Sequence, residues 1–260
     1  MLYLLLRVFI IVFALTAATY SQTQTVNERL ASTLNNQGVT QFAKGEHEEA
    51  IKSLNRAIEL FPASPVFYRN LAFVYRELKD VPRSEAAFRQ AIALMPDHAV
   101  THNQLGAVLL DSQRYREALD AFRKADSLRP NDPVILLNIG NALIYLKQYK
   151  EAGAILEKAK SIDDKDARIH SSLGFAYGMR KKYDAAIVEA QKAIELDPKD
   201  EEAQFLLSNL YAASGDKDAA IAQQRKISAL NPELARRLHQ TMNSDKLVVV
   251  NTEATGFRQQ

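Results

Sequence analysis

A step of 34 residues runs through this chain and constrains its fold more than any other feature. Five of its eight prolines, Pro62, Pro96, Pro130, Pro198 and Pro232, fall on one phase of that step, and Asp164 stands on the skipped beat. A second phase carries Gly38, Ala72, Gly106, Gly140, Gly174 and Ser208; a third carries Ala50, Ser84, Ala118, Ala152, Ala186 and Ala220. No insertion breaks the count from residue 31 to residue 234. A fixed period of this size marks stacked supersecondary units. Such an array offers surface for binding rather than a vessel for chemistry.

With residue 31 as slot 1, six units follow: 31–64, 65–98, 99–132, 133–166, 167–200 and 201–234. Slots 1–14 and 18–31 of each unit carry helical spacing. In the third unit Ala118, Phe122 and Ala125 recur at i, i+4 and i+7, one face of a 3.6-residue period. The prolines sit where such helices start or stop. Pro65 and Pro133 open a first helix and Pro82 a second, positions where the missing N–H has no intrahelical partner to lose. The small residues have a packing reason. Two helices approach closely only where side chains do not hold the backbones apart, so Gly106 and Ala118 let their pair touch, and Ala125 does the same against the following unit. Overpacking such a contact costs about 1–3 kcal/mol. Gly140→Leu is therefore expected to lower the melting temperature and Lys160→Leu to leave it unchanged.

This pattern resembles the tetratricopeptide repeat family. In the third unit Leu105, Gly106, Leu109, Tyr115, Ala118, Phe122, Ala125 and Pro130 stand at the family's characteristic slots, and the fifth matches through Leu173, Gly174, Tyr177, Tyr183, Ala186, Ala193 and Pro198. The resemblance covers residues 31–234 and implies an all-α fold, a right-handed superhelical solenoid of antiparallel helix pairs. Slot 4 departs from the family's large aromatic, reading Leu34, Tyr68, His102, Leu136, His170 and Gln204. The resemblance also implies a concave partner-binding face lined by the first helix of each pair, at slots 2, 5, 6, 9, 12 and 13.

Slot 6 of that face reads Asn36, Asn70, Gln104, Asn138, Ser172 and Leu206. A carboxamide offers donors and an acceptor, so a row of them can pair with the backbone of an extended peptide whatever its side chains. The row is similar to the asparagine ladder in the repeat domain of O-linked N-acetylglucosamine transferases. The other reading is that the amides tie neighbouring helices together or face water. Around them stand Arg69, Phe73, Asn103, Asn141, Tyr145, Phe175 and Asn209, with Phe42 and Phe205 as further aromatics. Those aromatics supply apolar contact to a partner or belong to the interhelical core. Charges balance, Arg69, Arg76 and Arg168 against Glu77, Asp111 and Glu202. Lysines at slot 5, which the family uses to hold a chaperone's C-terminal carboxylate, are absent from all six units.

Net charge is +2, so no strong field attracts nucleic acid; the basic run Arg180-Lys181-Lys182 reads as a solvated helix end. With no cysteine there is no disulfide or thiolate site. The histidines at slot 4, His102 and His170, read as structural, and no metal or cofactor motif is present. Asp163, Asp164 and Asp166 form an acidic turn in which helix capping explains the carboxylates. After Arg7, the apolar run Val8–Leu15 and small residues 16–18 read as a signal peptide over 1–21. A retained anchor over residues 1–20 is the alternative; both place the repeats outside the cytoplasm, in a periplasmic or extracellular space. Residues 22–30 form a leading segment. At the other end PELARRLHQTMN suggests a capping helix at 232–243 that covers the sixth unit, where Ile227 replaces the alanine of the other five. The tail 244–260 carries a strand-prone Leu247–Val250, a frayed end or a strand for a partner's sheet edge. The expected function is a non-catalytic, exported scaffold that holds a protein or peptide in its groove. A structural envelope component and an accessory subunit of an envelope or glycan-processing enzyme are the rivals.

Overall fold

The computed structural model describes residues 2–230, with side chains over 23–228. The expected capping helix and tail lie outside these residues, and the segment 1–21 lies outside those whose side chains are described. Among the described residues there are twelve helices and no strand: α1 (Leu2–Ala43), α2 (His47–Leu60), α3 (Pro65–Glu77), α4 (Val81–Leu94), α5 (Ala99–Asp111), α6 (Tyr115–Leu128), α7 (Pro133–Tyr145), α8 (Tyr149–Ile162), α9 (Ala167–Met179), α10 (Tyr183–Leu196), α11 (Glu201–Ser214) and α12 (Lys217–Leu230). The leading segment at 23–30 is helical and continuous with the first repeat helix. The chain forms two compact units, α1–α5 and α6–α12, divided between Arg114 and Tyr115.

Each helix pair closes through one turn. Slot 15 is left-handed in all six repeats: Gly45 (φ 81°), Lys79 (57°), Gln113 (61°), Lys147 (60°), Lys181 (59°) and Gly215 (93°). The reversed backbone turns two N–H groups back onto the ended helix, as where Lys147 N donates to Ile144 O at 2.8 Å and Gln148 N to Leu143 O at 2.8 Å. The orphan carbonyls of the helix end are thereby satisfied. Between repeats, slot 34 caps the next first helix: Asp132, Asp166 and Asp200 accept from Val134 N (3.0 Å), Arg168 N (2.9 Å) and Glu202 N (2.9 Å). The acidic turn 163–166 is a cap.

Within each pair the small residues meet. Ser84 Oγ donates to Ala72 O at 2.9 Å. A Cβ on Gly140 would stand 2.5 Å from Leu156 Cδ2, and one on Gly174 would stand 3.1 Å from Ala186 O. Ala50, Ala118, Ala152, Ala186 and Ala220 are wholly buried. The core is thus seeded at the same contact in repeat after repeat, with Leu54, Leu71, Val74 and Tyr75 around Ala50 in the first unit and Leu206, Leu207 and Leu210 around Ala186 and Ala190 in the second.

Slot 4, where the aromatic is missing, has a job of its own. His102 Nε2 donates to Pro96 O (2.8 Å), His170 Nε2 to Asp164 O (2.9 Å) and Gln204 Nε2 to Pro198 O (3.3 Å). The polar side chain ties each first helix to the turn that leads into it. Asp164 fills the skipped proline beat with the same carbonyl in the same role.

Lys160 is not the inert surface residue the sequence suggests. Its ammonium meets Glu157 at 2.8 Å and Glu189 at 2.9 Å. Glu189 is itself buried and takes a hydrogen bond from His170 Nδ1 at 2.7 Å. Leucine at 160 would leave that carboxylate short of a partner, so the expectation of an unchanged melting temperature is withdrawn.

Candidate partner-binding face

In the second unit α9 packs against both α7 and α11, while α8, α10 and α12 make no comparable contacts with one another. First helices close together and second helices splayed apart bend the stack, with the first helices on its inner side. In the first unit α1 and α3 touch in the same way.

The slot-6 row does not present itself uniformly. Asn36 is exposed, its Oδ1 accepting from Asn35 Nδ2 at 3.3 Å. Asn70, half-buried, donates to Asn35 Oδ1 at 2.8 Å. Gln104 is half-buried, and its Oε1 is fully buried with no hydrogen-bond partner. Asn138 is 2% exposed. Ser172 is buried and donates to Asn141 Oδ1 at 2.8 Å. Part of the row therefore ties one repeat to the next: Asn35–Asn70 joins α1 to α3, and Asn141–Ser172 joins α7 to α9. Asn35, one slot from the row, was not legible as its acceptor, because the tie runs between slots 5 and 6 of successive repeats.

The remaining site residues divide along the same lines. Asn103 on α5 is half-buried, and Asn209 on α11 is buried. Arg69 is half-buried with Nη1 3.4 Å from His98 Nε2. The aromatics are neither wholly core nor wholly free. Phe73 meets Phe88 edge-on with centroids 5.8 Å apart, Tyr145 stacks on Tyr115 at 4.8 Å, and Phe175 meets Tyr149 edge-on at 6.4 Å. Each ring is anchored in the pair beneath it and keeps part of its surface open. Phe205 is buried, and Phe42 packs on the core of the first unit.

Charge is distributed unequally. Arg76 bridges to Asp111 at 3.0 Å across α3 and α5, half-open to solvent. In the second unit Arg168 folds back on Asp166 at 2.7 Å. Burial opposes the charged form of Asp166, but the Arg168 guanidinium outweighs it and holds the carboxyl below its usual range. The other polar cluster of that unit joins α8, α9 and α10: Glu157, Lys160, Glu189, His170 and Tyr177. Tyr177 donates to Glu157 Oε1 at 2.5 Å, and burial, followed by that carboxylate, pushes its phenol up to about 12. Burial works against Glu157 as well; hydrogen bonds from Lys160 and Tyr177 prevail and keep it ionised below the ordinary glutamate range. His170 faces Glu189 with one ring nitrogen and the Asp164 carbonyl with the other, so the cluster is internally satisfied. Among the described residues, no group of three or more His, Asp or Glu side chains could hold a metal ion, and no helix whose side chains are described is long and apolar enough to cross a membrane.

Models of the tetratricopeptide repeat match residues 65–129, 109–174 and 179–242, and a further TPR repeat model matches residues 38–79. The chain belongs to the tetratricopeptide repeat family. None of the curated proteins matches it. Among solved structures it is similar to PilF of Pseudomonas aeruginosa, at 19% identity with a TM-score of 0.70, covering 82% of this chain and 98% of that one. It is also similar to PilW, described as a widely conserved type IV pilus biogenesis factor, at 20% identity and a TM-score of 0.73, with 80% and 98% covered. YrrB, described as a TPR protein with an unusual peptide-binding site, shares 23% identity and a TM-score of 0.58 over 72% of this chain and 97% of its own. At these identities the likeness is one of fold.

Proposed function

We propose that the inner faces formed by the first helices hold a protein or an extended peptide, and that the chain is a non-catalytic scaffold. One observation carries the reading. Gln104 Oε1 is buried and unpartnered at slot 6 of α5, in the first unit. Leaving a buried acceptor unmet costs about 1–3 kcal/mol, and rotation of the half-buried Gln104 side chain outward would recover that cost by letting Oε1 accept from a ligand's N–H. The half-open ring of Phe73 supplies apolar contact in the same unit, and the half-open rings of Tyr145 and Phe175 supply it on the face of the second unit. The similarity to YrrB, a TPR protein with an unusual peptide-binding site, is in keeping with this.

Gln104→Leu is the test. A binding residue is released from strain by the change: the variant melts higher, while affinity for partners captured on the unmodified chain falls at least several-fold in calorimetry. Unchanged affinity would remove Gln104 from the site. The paired change Asn70→Ala and Asn138→Ala does not discriminate, since it strips an interhelical tie and empties a buried amide site. We also propose that the chain is exported, from the apolar run after Arg7 and the small residues that follow it; N-terminal sequencing of the mature protein distinguishes cleavage near residues 18–21 from a retained anchor. A structural role in the envelope, with the groove idle, predicts that Gln104→Leu changes neither partner capture nor assembly. Co-purification with a catalytic chain would identify the accessory-subunit reading.

A further inference from the structure

The clefts between successive second helices do not repeat their chemistry. In the second unit α8 and α10 stand apart over the outer side of α9, and α10 and α12 over that of α11. Slots 4, 7 and 11 of a first helix face such a cleft, about half a turn round from groove slots 5, 6 and 9. Over α9 the cleft holds the charged network. Tyr177 donates to Glu157, His170 bonds to Glu189 and to the Asp164 carbonyl, and Lys160 reaches between the two carboxylates at 2.8 and 2.9 Å. Over α11 every bond but the last has a neutral counterpart at the same slots. Gln191 Nε2 donates to the Tyr211 oxygen at 2.8 Å, Gln223 Nε2 to Gln204 Oε1, and Gln204 Nε2 to the Pro198 carbonyl at 3.3 Å. Ile194 stands at the slot of Lys160. A cleft of about 230 Å³ lies among these side chains, with Leu207 and Lys226 completing its lining.

We propose that this cleft takes the side-chain carboxamide of a partner protein, a glutamine or asparagine reaching in where Lys160 reaches in one repeat earlier. The hydrogen bonds around it set the requirement. The Pro198 carbonyl takes the Gln204 Nε2 group, so Gln204 turns its Oε1 to Gln223, and Gln223 answers with its Nε2. Gln223, only 5% exposed, therefore keeps a carbonyl oxygen that no group among the described residues meets. Tyr211 accepts from Gln191 and keeps its O–H to give. The cleft thus offers one acceptor and one donor, and a primary carboxamide answers both, its NH₂ to Gln223 and its oxygen to Tyr211. Charge points the same way. Among the described residues no carboxylate lines the cleft and Lys226 does, so an ammonium has no counter-charge there. A carboxylate would lie against the fixed Gln223 carbonyl. Burying either ion without compensation costs far more than burying an amide. Ile194 and Leu207 receive the methylenes that carry the amide. The size also fits, since the cleft is smaller than the roughly 300–1,000 Å³ of sites for drug-sized ligands. This inference does not rest on the proposed groove function, because it uses the opposite side of α11.

The methyl resonances of Leu207 in the isotope-labelled full chain report on the cleft. The probes are N-acetylglutamine N-methylamide, its glutamate and lysine counterparts, and methyl glucoside. The glutamine probe is expected to shift Leu207 saturably, with a Kd of about 1 mM for a ligand of this size. Tyr211→Phe should weaken it about 3- to 10-fold. Copying the preceding repeat into the cleft, by Gln191→Glu, Ile194→Lys, Gln204→His and Gln223→Glu together, should abolish the shift without lowering the melting temperature. No shift with the glutamine probe overturns the proposal. An equal shift with the glutamate or lysine probe, or with methyl glucoside, overturns the choice of a carboxamide. A shift that survives in the quadruple variant places the binding elsewhere and overturns the cleft. Tyr211→Phe, which removes a single oxygen, decides the matter if the quadruple variant fails to fold: unchanged affinity then overturns the site.

Discussion

The inner faces of the two units use the same slots of the same helices for different chemistry. In the first unit the slots hold Asn36 and Asn70 chained through Asn35, and Arg76 bridged to Asp111 at the water's edge. In the second, Asn138 is buried, Ser172 bonds to Asn141, and the charged network of Lys160, Glu189 and His170 has moved between the helices. The backbone tolerates this exchange because its contacts lie elsewhere, at the small residues of slots 8 and 20. A repeat therefore separates what builds the array from what varies on its inner face.

The separation can be broken at its base. Leucine at Gly140 would have to displace Leu156, which already lies within 2.5–2.6 Å of an added Cβ; at Gly38 the nearest atom, Leu54 Cγ, is 2.8 Å away. Both changes should be costly, by about 1–3 kcal/mol or more, with Gly140→Leu the worse. Lys158→Leu, on the exposed side of α8, should cost close to nothing. Equal melting of Gly140→Leu and Lys158→Leu would mean the pair is not built around that contact.

Next in size is the polar network. Glu189→Ala leaves His170 Nδ1 and the Lys160 ammonium without their buried acceptor, for an expected loss of about 1–3 kcal/mol in urea unfolding. Its counterpart in the first unit is the Arg76–Asp111 bridge, which is partly solvated. A double-mutant cycle there should give about 0.2–1 kcal/mol, shrinking as salt is added. If the exposed bridge proves worth more than the buried network, the contrast between the units is wrong. The network also carries a pH dependence. Tyr177 has its folded pKa raised from the ordinary 10 to about 12, so the stability linked to it is present below pH 10 and lost as pH climbs through about 12. Tyr177→Phe should flatten that alkaline decline.

The sequence carried the period, the six units and the helix starts and stops, because proline and glycine write backbone geometry directly into residue type. It said less about the face. Asn36, Asn70, Gln104, Asn138 and Ser172 share a phase, yet whether each amide faces a ligand or a neighbouring helix depends on residues such as Asn35 and Asn141, whose pairing crosses repeats. Slot 4 reads as a departure from the family until the carbonyls of Pro96, Asp164 and Pro198 are seen opposite it. Lys160 shows the same limit, since a lysine near a helix end looks solvated until Glu189, 29 residues on, is placed beside it.

The smallest effect concerns the turn at slot 15, where only Gly45 and Gly215 announce a left-handed residue. Lys79 in the first unit and Lys147 and Lys181 in the second hold φ of 57–60° with a side chain attached. An L-residue in that region costs roughly 1–2 kcal/mol, and a glycine gives back about 0.5–1 kcal/mol of that through the greater freedom of the unfolded chain. Each Lys→Gly change should thus stabilise by about 0.5 kcal/mol, raising the melting temperature by about 1–2 °C. The gain should be the same in both units, because the turn belongs to the part of the repeat that builds rather than binds. A gain confined to one unit would show that the two units differ in their framework as well as in their faces.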